Sequence, residues 1–146
     1  MLNSNNGGNN NLSLLSVLNS TISGELTQNT PRDPEVNNYH VDKYELTDLN
    51  VGWQVQIDLS SIDFDSYLYL VNGTTGNVIA ENDDFNGSNS RITFIVTENV
   101  NYILKVSGYN NQIGNYTVAT SSFEQGSGYG YGYGYGYGYG YGYGYG

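Results

Sequence analysis

The stretch Asp63 to Phe94 reads DFDSYLYLVNGTTGNVIAENDDFNGSNSRITF, two strand patterns around a turn followed by an oxygen-rich loop. Ser66, Leu68 and Leu70 fall on one side of an extended chain, and Tyr67, Tyr69 and Val71 fall on the other. A period of two is what a strand produces when one face lies in a core, because successive side chains point to opposite faces. Asn72-Gly73-Thr74-Thr75-Gly76 follows as a turn, and Asn77 to Ala80 as the return strand. The loop from Glu81 to Ser90 is rich in side-chain oxygens and holds no cation until Arg91. Ile92, Phe94 and Val96 then resume the alternation.

Working outward, the same signals recur at short, regular intervals. Ile22 to Leu26 reads as a strand, Thr27 to Asn38 as a polar loop broken by Pro31 and Pro34, and Val41 to Leu46 as the next strand. Asn50-Val51-Gly52 is a turn, and Trp53, Val55, Ile57 and Leu59 alternate with Gln54, Gln56 and Asp58. Asn101 to Ser107 and Asn115 to Thr120 complete the set, with Tyr102, Leu104 and Val106 on one face. About eight short strands and no convincing helix predict an all-β fold, an antiparallel β-sandwich or jelly roll.

The expected organisation has three parts: a polar Asn/Ser-rich N-terminal segment over 1–21, a sandwich domain over 22–120, and a linker and tail over 121–146. Leu12 to Leu18 is expected to dock on the domain as a short strand or helical turn. It is a poor leader, since nothing positive precedes it and the first basic residue is Arg32, so export calls for a leader already removed or for another route. No apolar run approaches the ~20 residues that span a bilayer, so membrane insertion is not expected. Roughly 100 residues remain for one small core, and with no Cys no disulfide supports it.

Four Lys and Arg stand against fourteen Asp and Glu, a net charge of −10. That balance argues against nucleic acid, whose phosphates need clustered cations, and against anionic membrane surfaces. It favours cations, calcium above all, or neutral polymers as partners. Calcium takes about 6–8 oxygen ligands held on loops. The oxygen-rich loop offers Asn82, Asp83, Asp84 and Asn86, and Asp63 and Asp65, two apart, can point the same way. Asp, Asn and Gly also build turns by bonding nearby backbone N–H groups, which is the plainer reading of the same residues. Tyr67, Tyr69 and Tyr109 fall opposite or outside the core phase and form a candidate exposed binding surface, with ordinary cross-strand packing as the alternative.

Catalysis is not expected. There is no Cys nucleophile, and the lone His40, read as a surface or loop residue, stands two before Asp42 in no triad pattern. Asp63 and Asp65 lie along one strand rather than across a cleft.

The tail, Gly128 to Gly146, is strict Gly-Tyr alternation with Tyr129, Tyr131, Tyr133, Tyr135, Tyr137, Tyr139, Tyr141, Tyr143 and Tyr145. In an extended chain every Tyr would project from one face, a pattern suited to stacking between copies. Many weak phenol contacts would draw copies together. A passive flexible tail is the alternative reading.

The chain resembles the bacterial pre-peptidase C-terminal domain, a relative of the collagen-binding domain of clostridial collagenases. The carrying motifs are Val41-Asp42-Lys43-Tyr44-Glu45-Leu46, Gly52-Trp53-Gln54-Val55-Gln56-Ile57 and Asp63-Phe64-Asp65-Ser66-Tyr67-Leu68-Tyr69-Leu70. Ile79-Ala80-Glu81-Asn82-Asp83-Asp84, Asn89-Ser90-Arg91-Ile92, Tyr102-Ile103-Leu104-Lys105-Val106 and Gly114-Asn115-Tyr116-Thr117-Val118 follow in order. The resemblance implies a jelly-roll-like sandwich, export and a non-catalytic accessory role. It also implies a calcium ligand at Asp42 and a ligand-contacting tyrosine near Tyr109. The family's acidic linker before the first strand is replaced here by Asn, Ser and Thr. The expected function is therefore a secreted, extracellular or cell-surface structural or adhesive component, matrix- or filament-forming, joined to itself or to a matrix polymer. The alternative is an accessory module for collagen-like protein or polysaccharide, with the tail as spacer.

Overall fold

The computed structural model describes residues 12–83, 87–97 and 100–124. Its strands are β1 (Leu12–Ser16), β2 (Thr21–Leu26), β3 (Arg32–Asp33), β4 (Tyr39–Thr47), β5 (Gln54–Ser60), β6 (Ser66–Asn72), β7 (Val78–Asn82), β8 (Ser90–Ile95), β9 (Tyr102–Gly108) and β10 (Gly114–Phe123). They form two sheets. In the first, β1-β4-β9-β6-β7 lie side by side with the short β3 also pairing with β4; the second runs β2-β10-β5-β8. The pairing is antiparallel except for β1, which lies parallel to β4 with Leu12 beside Lys43 and Ser16 beside Thr47. The fold is an all-β sandwich.

The core follows the alternation. Leu68 and Leu70 of β6, Leu104 and Val106 of β9, Val55, Ile57 and Leu59 of β5, and Ile92 and Phe94 of β8 meet between the sheets. Burying each such side chain is worth about 1.5–3 kcal/mol. Ser66 shares the core phase of β6 and is fully buried, where its hydroxyl donates to the Ser88 carbonyl and lies 2.7 Å from the Ser90 hydroxyl. That pair ties the start of β6 to the start of β8, on the other sheet, at no cost of an unsatisfied group.

The strand pattern runs past both expected edges of the domain. The segment from Leu12 docks on the domain as expected, as the strand Leu12–Ser16, and Leu15 and Val17 are buried in the main core, so this part of the chain belongs to the sandwich. At the other end Ser121, Ser122 and Phe123 pair with Gln56, Val55 and Gln54, inside what reads as linker. The crossover from β1 to β2 is held by Thr120, whose hydroxyl donates to the Ser16 carbonyl and accepts from the Ser20 N–H.

Thr27–Asn38 is more than a polar loop. Within it β3 pairs with the start of β4, and the 3-10 turn Pro34–Val36 is capped by Asp33, whose carboxylate accepts from the Glu35 N–H. Asn37 and Asn38 then turn back at φ of 53° and 60°, a region that Asn tolerates better than most residues. The excursion covers part of the outer face of the first sheet, burying Val36 with Val41 and Tyr69. Lys105 of β9, nearly buried, meets the Asp33 carboxylate at 2.7 Å, and Lys43 adds a longer contact of 3.6 Å.

Candidate functional site

The outer face of the first sheet carries a tyrosine cluster at one end. β6 brings Tyr67 level with Ser107 and Tyr69 level with Lys105 on β9, and β4 opens with Tyr39. Tyr109 follows β9 directly, its N–H donating to the Asp65 carbonyl at 2.7 Å. The Tyr67 and Tyr69 rings lie 4.8 Å apart, and Tyr39 meets Tyr109 edge-on at 6.5 Å. Both separations lie in the favourable range for aromatic pairs. Tyr39 and Tyr67 pack in turn on Val36, Val41 and Tyr69.

The three expected surface tyrosines divide. Tyr109 is 48% exposed, Tyr67 is half-buried, and Tyr69 is buried at 7%. Tyr69 is off the main core phase as expected, but the Pro34–Val36 turn lies over it, so it supports the surface rather than presenting itself. Its burial, with the Tyr67 hydroxyl and Glu81 nearby, pushes its phenol well above the ordinary value. Tyr39, missed in the sequence, belongs to the surface; its place at the start of β4 was legible, but its nearness to Tyr109 arises only from the pairing of β4 with β9.

The expected calcium ligands are spread over several elements. Asp42, on β4, accepts from the Tyr116 hydroxyl at 2.6 Å. The Asp63 carboxylate accepts from the Asn115 N–H at 2.8 Å, and Asp65 receives the Gln112 side-chain oxygen on its own N–H. The Asn82 side-chain oxygen accepts from the Arg91 N–H, and Asp83 is exposed. Asp84 and Asn86 lie outside the described residues. Among the described residues no three His, Cys, Asp or Glu side chains come together to hold a metal ion. Asp63 and Asp65 instead anchor the segment 109–115, which positions Tyr109: a Cβ on Gly114, at φ +141°, would fall 2.4 Å from the Asp63 Cβ.

Asp42 takes part in a network that links the sheets. Tyr116 of β10 crosses the core to hydrogen-bond both the Asp42 carboxylate and the Tyr44 hydroxyl. Burial, then the Asp42 and Tyr44 contacts, push the Tyr116 phenol far above its ordinary value, and burial raises Tyr44 as well.

His40, expected at the surface, is buried at 5%; its Nδ1 lies 2.6 Å from the Thr30 carbonyl oxygen. The β3 excursion closes over this part of β4 and covers it. A shallow cleft lies elsewhere, at one end of the second sheet, between Ser23, Ser61, Ile62, Asn89 and Thr117. No helix among the described residues is long and apolar enough to cross a membrane. The nine arm tyrosines, Tyr129 to Tyr145, lie outside the described residues.

No family model matches the chain, and no curated protein matches it. Solved structures do. The pre-peptidase C-terminal domain of a collagenase from Bacillus anthracis superposes with a TM-score of 0.59 over 80% of this chain and 100% of that one. This chain's fold is similar to that of a pre-peptidase C-terminal domain. PliG of Aeromonas hydrophila, a periplasmic inhibitor of g-type lysozyme, shares it at a TM-score of 0.54, covering 78% of this chain and 99% of its own. The identities are 19% and 11%, so the likeness is one of fold.

Proposed function

We propose that the chain is an exported, non-catalytic sandwich module whose Tyr-Gly arm joins it to further copies of itself, building an extracellular filament or matrix. The observation that carries this reading is the arm itself: nine tyrosines alternating with glycine, a short linker after Phe123, where the last described strand of the sandwich ends. Gly-rich chains are too entropic to order alone, but repeated phenols supply many weak contacts that add up between copies. The fold likeness to a domain of a collagenase and to a periplasmic inhibitor supports export and a partner-binding role. Sedimentation of the full chain beside a version ending at Ser127 tests the reading. The full chain is expected to associate with rising concentration, and the shortened one to stay monomeric with the same melting temperature. Identical sedimentation would remove the arm from the account.

A second reading is favoured by the tyrosine cluster. Tyr109, Tyr67 and Tyr39 present apolar area with polar tips on a sheet face, supported from below by Tyr69, which suits a collagen-like chain or a polysaccharide. Retention on collagen or insoluble glycans that survives removal of the arm would favour it. Calcium is a lesser part of the proposal. Asp42, Asp63 and Asn82 already accept hydrogen bonds from the protein, so it rests on the loop around Asp83, Asp84 and Asn86. Calcium calorimetry, with melting in the presence and absence of chelator, tests it; no heat and no shift would end it.

A further inference from the structure

The last described strand, β10, ends at the opposite end of the sandwich from the tyrosine cluster. β10 begins at Gly114, packed on Asp63 beside the segment that carries Tyr109, and ends at Phe123, level with Gln54. Ten residues of strand at about 3.3 Å each separate the two ends by roughly 30 Å. The cluster lies on the outer face of the first sheet, and the arm follows from the second. β10 therefore runs away from the cluster as far as Phe123.

We infer that the Gly128–Gly146 arm of one copy docks on the Tyr39, Tyr67 and Tyr109 cluster of the next. This rests on the self-association proposed above and names its second surface. Three observations support it. Every charged side chain of the chain precedes Gly128, so the arm can approach a body of net charge −10 without repulsion. Alternate residues of an extended arm repeat at about 6.6 Å, close to the 6.5 Å between the Tyr39 and Tyr109 rings. Tyr109 offers a half-exposed ring on a backbone fixed by its N–H bond to the Asp65 carbonyl, with the Tyr39 ring edge-on to it. Arm and cluster are different surfaces, so the contact is heterologous. Such a contact is not self-complementary as a twofold pair is, and wherever its rotation does not close into a ring it repeats into an open chain of molecules.

The test is complementation between two full-length variants, read by sedimentation. One carries Tyr39→Ala and Tyr109→Ala with the arm intact; the other carries Ser at all nine arm tyrosines with the cluster intact. Each alone should associate about tenfold or more weakly than the wild type. An equimolar mixture should form a 1:1 complex and go no further. Tyr109→Ala alone, at a half-exposed site, guards against a folding defect: its melting should match the wild type and its association should still fall. If the cluster variants assemble as the wild type does, the arms bind one another; this inference is then wrong and the self-association reading survives. If the wild type stays monomeric at every concentration, both are wrong. A monomer whose arm tyrosines are shielded by its own cluster also overturns the docking between copies.

Discussion

Tyr116 places a hydroxyl between two sheets, where it joins Asp42 and Tyr44 of β4 to β10. Tyr116→Phe removes the donor to Asp42 and the contact to Tyr44 while leaving the ring in place. Loss of a buried hydrogen bond to a charged group costs about 1.5–3 kcal/mol, and the expected fall in stability should appear in urea unfolding. Gly24 opposes the same ring, and a Cβ there would meet the tip of Tyr116 at 2.4 Å. The tip is held by two hydrogen bonds and cannot swing aside, so Gly24→Ala is expected to destabilise by about 1–3 kcal/mol. Equal stability of Gly24→Ala and wild type would mean that the ring moves freely.

Asp33 gives a residue-scale dependence on pH. Burial alone would raise its carboxyl. The hydrogen bond from Lys105, the Glu35 N–H and the charges of Lys105 and Lys43 outweigh it and hold the carboxyl below its usual value. A lowered folded pKa means that the folded chain takes up the proton less readily than the unfolded one. The ion pair therefore contributes stability above the unfolded value of about 3.9 and loses it as pH falls through the lower folded value. Melting temperature is expected to decline below about pH 4. Asp33→Asn, which leaves Lys105 beside a neutral amide with only the exposed Glu35 carboxylate at 3.4 Å, should cost about 1.5–3 kcal/mol at neutral pH. Its melting curve should approach that of the wild type in acid; a constant gap down to pH ~2 would show that the pair is not the cause.

At the scale of elements, β1 and the β3 excursion matter most. β1 lies parallel to β4 at an edge and sends Leu15 into the core. Leu15→Ala is expected to cost about 2–4 kcal/mol, as for any well-packed leucine, and removal of residues 1–19 should cost more. A truncated chain that melts with the wild type would return β1 to the status of an appendage. The β3 excursion explains why a sheet face that reads as outer is partly buried. Val36, Val41 and Tyr69 form a second, smaller cluster over it, and the Lys105–Asp33 pair closes its edge.

At the scale of the whole molecule, charge and arm act against each other. A body of net charge −10 repels its copies, while the uncharged arm is proposed to draw them together. Association through the arm is therefore expected to strengthen as salt rises from low concentration toward about 0.15 M, where the screening length falls to about 8 Å. Weakening with salt in sedimentation would point to ionic contacts instead.

The alternation in β5, β6, β8 and β9 was legible because a strand with one face in a core must repeat every two residues, and that pattern is local. The turns at Asn72–Gly76 and Gly52 were legible for the same reason: Asn72 caps its own turn through the Thr74 N–H, and Gly52 adopts φ +90°. So the chain's own order of residues determined two packed sheets, a compact unit free of disulfides and an uncharged aromatic arm. Tertiary structure alone decided that His40 and Tyr69 are buried and that Tyr39 joins Tyr109. It also decided that Asp42 accepts from Tyr116. Each of these depends on which distant strand or loop lies above a given face, and neither period nor composition carries that information.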